Sequence, residues 1–161
     1  MAAHTKRIVV TLETLLDSVD LAEDIVLRIA DASGFGDEDC HKIGMSVREG
    51  VINAYKYGNQ KSRNKKIHMT VELEPAKLVV RVCDEGPGFE MTEVPDPLAE
   101  ENLLSTSGRG IFLMRAFMDE FDVVPGRTGG AEIVMSKKLP SSGSASPNGR
   151  GGQNATPQQE A

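Results

Sequence analysis

Apolar and polar residues alternate in RIVVTLE at positions 7–13, and β-branched side chains dominate, which predicts a strand. From residue 15 the period changes. Leu15, Val19, Ala22, Ile25, Val26 and Ile29 recur at helical spacing as far as residue 32, and Gly34 stops the run. A second helical pattern covers 37–57, opened by acidic residues and closed by Gly58. Its core face is Ile43, Val47, Val51 and Ala54, which leaves Glu49 and Asn53 together on a neighbouring face. KKIHMTVELE and KLVVRVCDEG read as two strands, with a tight connection at 74–77 that holds Pro75. A third helix is expected over 110–121. FDVVPG and AEIVMSKKL then form a hairpin around GRTGG.

Two stretches lack either period. Residues 91–107 hold two prolines, acidic side chains and the run Ser105, Thr106, Ser107, and they read as a mobile loop longer than about a dozen residues, a length that is usually functional or disordered. From Pro140 onward the chain is rich in Gly, Ser, Pro and Gln and nearly free of apolar residues, so it cannot bury enough surface to fold. The expected organisation is one folded domain over 1–139 and a disordered tail over 140–161. The fold class is α+β: a two-layer α/β sandwich whose mixed, mostly antiparallel sheet is covered on one face by helices.

Composition narrows the function classes. A length of 161 residues suffices for a core without staples. A net charge of −6 argues against a nucleic-acid binder, which needs a basic patch. No long apolar run and no signal peptide are visible, so no membrane contact and a soluble, cytoplasmic protein are expected. Cys40 and Cys83 are not spaced as zinc ligands and read as reduced thiols.

The chemistry concentrates in three segments. In REGVINAYKYGN, Glu49 and Asn53 lie four apart, so a carboxylate and a carboxamide share one helix face. The first can orient or deprotonate a hydroxyl, and the second offers a hard oxygen suited to Mg2+. Alone, Glu49 is an ordinary solvated carboxylate. Asn53 changes the picture, because Asn is a poor residue inside a helix and here stands in an apolar stretch. In DEGPGF, Asp84 ends a strand, and Gly86 and Gly88 allow a ligand to approach the backbone. In SGRGIFLMRAF, Ser107, Gly108, Arg109 and Gly110 lead into a helix whose N-terminus suits phosphate. The three together describe an ATP–Mg2+ site.

In this order the three segments resemble the GHKL ATPase superfamily, and REGVINAYKYGN, VCDEGPGF and SGRGIFLMRAFMDEF are similar to the small bacterial anti-sigma-factor serine/threonine kinases. The resemblance covers about residues 7–139. It implies Glu49 as general base or orienting group and Asn53 as Mg2+ ligand. It also implies Asp84 as acceptor for the adenine amino group, with the glycine segments around the nucleotide. As activity it implies ATP-dependent phosphorylation of an anti-anti-sigma protein on Ser or Thr. Its implied partners are that protein, a sigma factor held inactive, and a second copy of the chain in a homodimer. Two positions depart from the pattern: Tyr57 stands where His is common, and Ala131 where Thr is common. Arg48 and Lys56 read as solvated helix charges, and His41 and His68 as ordinary histidines. Two other readings share the ATP site: a histidine-kinase-type catalytic domain acting in trans, and a binding module that uses ATP only to set its shape. The short chain lacks dimerisation and sensor segments, which weighs against the first. Retention of Glu49 weighs against the second.

Overall fold

The computed structural model describes residues 4–88, 106–127 and 129–141, with only the backbone for Thr106 and Ser107. The elements are β1 (Lys6–Glu13), α1 (Asp17–Ala32), α2 (Asp37–Asn53), a π turn (Ala54–Gly58), β2 (Lys66–Leu73), β3 (Lys77–Cys83), α3 (Thr106–Phe117), β4 (Glu120–Pro125) and β5 (Ala131–Lys138). The sheet order is β1-β2-β3-β5-β4, and every neighbouring pair is antiparallel. β3 and β4 nevertheless run the same way, because β5 lies between them and opposes both.

The helices cover one face of this sheet. The period-3.6 positions of α1, namely Val19, Ala22, Val26 and Ala30, are buried, and so are Ile43, Val47, Val51 and Ala54 along α2 and the turn after it. They meet the alternate residues Ile67, Met69, Val71, Leu78, Val80, Val82 and Met135 of the central strands. Each such side chain contributes about 1.5–3 kcal/mol by leaving water. The α1–α2 corner turns at Gly34, whose φ is +92°, and Phe35 folds back with its amide on the Ala30 carbonyl at 3.2 Å. Arg48 then ties α2 to α1, donating to Glu23 at 2.9 Å and to Asp20. It is therefore a cross-helix clamp, which corrects its reading as a free surface charge.

Two further elements differ from the sequence expectation. The helical run at 37–57 is an α-helix only to Asn53 and finishes as a π turn, marked by the Asn59 amide on the Ala54 carbonyl at 2.8 Å. α3 begins at Thr106, four residues before the expected start, so Gly108 and Gly110 lie inside its first turns. Its C-terminal end is held by Lys137, nearly buried, which donates to the Phe117 carbonyl at 2.9 Å and faces Asp119 at 3.6 Å and Asp39 at 3.9 Å. One lysine thus joins β5, the end of α3 and the start of α2. The expectations of a mobile loop at 91–107 and a tail at 140–161 fall outside the described residues, apart from Thr106, Ser107, Pro140 and Ser141.

Candidate functional site

α2 and α3 pack against each other, and both are small where they touch. Gly50 lies against Met114, Met135 and Val82, the nearest atoms 3.5–3.8 Å from where its β-carbon would be. One turn away the contact becomes polar. A β-carbon at position 110 would lie 2.9 Å from Glu49 Oε2 and 3.5 Å from Asn53 Nδ2. The structure therefore brings Glu49, Asn53 and Gly110 into one half-buried corner, with the space a side chain would occupy left open beside the carboxylate. Glycine is required there by this close approach, since Ala would be the better helix former.

The second part of the site is built around Asp84, the residue directly after β3 and only 6% exposed. Its Oδ1 accepts the amides of Gly86 at 2.9 Å and Ala131 at 3.2 Å. The rest of the carboxylate is enclosed by backbone. A β-carbon on Gly58 would collide with Oδ2, and one on Gly130 with Oδ1. Burial pushes the Asp84 carboxyl above its ordinary value, and the two amides and the Lys65 charge pull only partly against it. A carboxylate sunk in this way is expensive unless it meets a donor.

The two parts are joined by the π turn. It carries the chain from Asn53, at the Glu49 corner, to Gly58, on the Asp84 carboxylate. Gly88, at φ +72°, completes the Asp84 side, where its β-carbon would approach the Gly129 carbonyl at 3.3 Å. Ser107, Gly108 and Arg109 occupy the start of α3, with Gly108 buried and Arg109 exposed. Lys56 is exposed and lies over the Tyr57 ring at 5.4 Å.

Sequence reasoning missed a polar cluster below Asp84. Asn59 is fully buried; its Nδ2 donates to Thr14 Oγ1 and to the Lys66 carbonyl, both at 2.9 Å, and its Oδ1 accepts the Glu85 amide at 2.8 Å. Glu85 in turn receives the Lys66 amide at 2.8 Å and pairs with His68 at 2.7 Å. These contacts, the His68 hydrogen bond first, hold the Glu85 carboxyl below its usual range. His68 is thus a paired strand residue. The one signal available was a polar side chain directly after the glycine that closes the helix.

Comparison with known proteins gives a consistent picture. The family model described as a histidine kinase-like ATPase domain matches residues 12–137. Proteins named anti-sigma F factor, from Bacillus thuringiensis (strain Al Hakam) and Bacillus mycoides (strain KBAB4) among others, are 33% identical over 107 residues. That match covers 65% of this chain and 73% of theirs. A solved structure of the RsbU and RsbW domains of Rv1364c from Mycobacterium tuberculosis shares the fold, with a TM-score of 0.59 at 17% identity. The match covers 83% of this chain, which spans about a third (32%) of that one.

Proposed function

Because the chain belongs to the histidine kinase-like ATPase domain family, we propose that it is an ATP-dependent serine/threonine protein kinase acting as an anti-sigma factor. In this reading it binds a sigma factor and phosphorylates an anti-anti-sigma partner on Ser or Thr, working as a homodimer in the cytoplasm. The similarity to proteins named anti-sigma F factor supports the partner class. Among the described residues no helix is long and apolar enough to cross a membrane. The observation that carries the reading is the corner where Glu49, Asn53 and Gly110 meet.

Phosphoryl transfer asks a protein mainly for positioning and charge neutralisation. Asp84 accepts the adenine amino group, an interaction that guanine, with an oxo group there, does not offer. The start of α3, with Ser107, Gly108 and Arg109, presents the positive end of its dipole to the phosphates. Glu49 takes the proton of the attacking Ser or Thr hydroxyl while the oxygen bonds to the terminal phosphorus and ADP leaves. Mg2+ fits the residues present. Among the described residues no three His, Cys, Asp or Glu side chains gather as a metal cage. That suits an ion which takes one or two protein oxygens and completes its shell with phosphates and water. Asn53 would supply the protein oxygen, and the open space at Gly110 leaves room beside it. When bound, the ion would neutralise phosphate charge.

The test is a pull-down with the purified chain, with and without ATP–Mg2+, followed by phosphosite mapping of what binds. ATP-dependent phosphoserine or phosphothreonine on a captured protein supports the reading. Phosphohistidine, or no transfer to any bound partner, overturns it.

A further inference from the structure

Two turns that are distant in sequence form the floor around Asp84. One is the end of the π turn at Gly58, and the other is the Asp84–Glu85–Gly86 segment after β3. They touch directly, since a β-carbon on Gly86 would collide with the Gly58 carbonyl. Backbone contact alone does not fix their relative position. Asn59 does. It follows Gly58 in the chain, and its side-chain oxygen accepts the amide of Glu85, the residue between the two that make the Asp84–Gly86 turn, at 2.8 Å. Its two amide hydrogens go to Thr14 and to the Lys66 carbonyl, so the side chain is anchored to the end of β1 and the start of β2. Asn59 therefore reaches, without touching the open corner itself, every segment at this end of the sheet. A carboxamide is suited to this because it donates twice and accepts at once, which neither Asp nor a hydroxyl can do.

We propose that Asn59 is a positioning residue for base recognition: by locking the Glu85 amide to the Gly58 turn it sets where the Asp84 carboxylate stands, and so the preference for adenine over guanine. The inference rests on the reading of Asp84 as the base acceptor. A buried asparagine that only stabilised the fold would change the melting temperature and leave the choice of base alone.

The experiment compares ATP and GTP affinity by calorimetry, together with thermal melts, for the full chain and four variants. Asp84→Asn tests the acceptor itself. Asn59→Ala and the volume-keeping Asn59→Leu remove the clamp. Thr14→Val disturbs the same buried cluster but leaves the Asn59–Glu85 bond in place. The expected result is an ATP-over-GTP ratio lowered about tenfold in the folded Asn59 variants, the loss that follows from misplacing one charged hydrogen bond. Thr14→Val should melt at a lower temperature with its ratio within about twofold of wild type. If Asp84→Asn lowers the ratio while the folded Asn59 variants keep it, the inference is overturned and the reading of Asp84 stands. If Asp84→Asn leaves the ratio unchanged, the reading itself fails and the inference falls with it. A ratio lost equally in Thr14→Val, or failure of both Asn59 variants to fold, reduces Asn59 to a structural residue and overturns the proposal.

Discussion

Gly110→Ala separates stability from function at a single atom. The residue lies inside α3, where alanine is favoured over glycine by up to about 1 kcal/mol. Against that gain stands one tight contact, the new β-carbon 2.9 Å from Glu49 Oε2. Ordinary contact begins at 3.4 Å, so the carboxylate must retreat by roughly half an ångström, while the Asn53 atoms at 3.5 and 3.7 Å need not move. Glu49 Oε2 is the end of a flexible, half-buried side chain, so the retreat costs little and the variant should melt at or slightly above the wild-type temperature. The catalytic consequence is larger. A displacement of 1 Å at a reacting group can cost on the order of a hundredfold, so half of that predicts a loss of about tenfold in phosphoryl transfer, and the methyl group fills room next to Asn53 as well. Thermal melting and transfer to the captured partner, measured on the same preparation, decide the matter. Transfer within twofold of wild type would show that this corner is not where the chemistry happens. A melting temperature several degrees lower would show that the helices cannot absorb the contact, and that the argument from a flexible carboxylate is wrong.

Glu49→Gln should lower transfer by about a hundredfold or more while ATP affinity stays within a few-fold, as loss of a general base requires; single-turnover assays beside calorimetry check both halves. Asp84→Asn should weaken ATP binding yet raise the melting temperature at neutral pH. Burial raises the Asp84 pKa in the fold, so the ionised group costs stability above that pKa, and the cost fades as pH falls through it toward the unfolded value; equal melting temperatures at pH 7 would contradict the sign. The neighbouring Glu85 should act oppositely. Its pKa is depressed, so its contribution is present above the unfolded value and is lost as pH falls through the folded one, and Glu85→Gln should remove that part of the acid sensitivity in a melt series. Lys137→Met should destabilise by about 1–3 kcal/mol, since it leaves the Phe117 carbonyl without its donor and two carboxylates without their counter-charge; denaturant titration reads this directly.

The sequence was most legible where one period governs a whole element. Ile43, Val47, Val51 and Ala54 are all buried, as their spacing required, and the position of Glu49 and Asn53 on the adjoining face follows from the same geometry. Legibility failed where a residue serves a distant neighbour. Gly108 and Gly110 carry a local preference for turns, and only the approach of Glu49 from α2 explains why glycine stands inside α3. Arg48 reads as a solvated charge until α1 is packed beside it and Asp20 and Glu23 come within reach. Asn59 is the strongest case. Its three partners come from Thr14, Lys66 and Glu85, which meet only after the sheet has formed, so no local pattern announces it.

The π turn between Asn53 and Gly58 makes this stretch intolerant of counting errors. A π turn is an α-helix with one residue too many, and each residue of an α-helix advances by about 100°. Deleting any one residue of Ala54–Gly58 would let the segment relax to a plain helix, and everything downstream would arrive out of phase, with Gly58 swung off the Asp84 carboxylate and Asn59 off the Glu85 amide. Substitution here is a local event, whereas a single-codon deletion is a rotation of one half of the pocket against the other. The segment works as a phase-setting spacer, and its length is a more binding constraint than its composition.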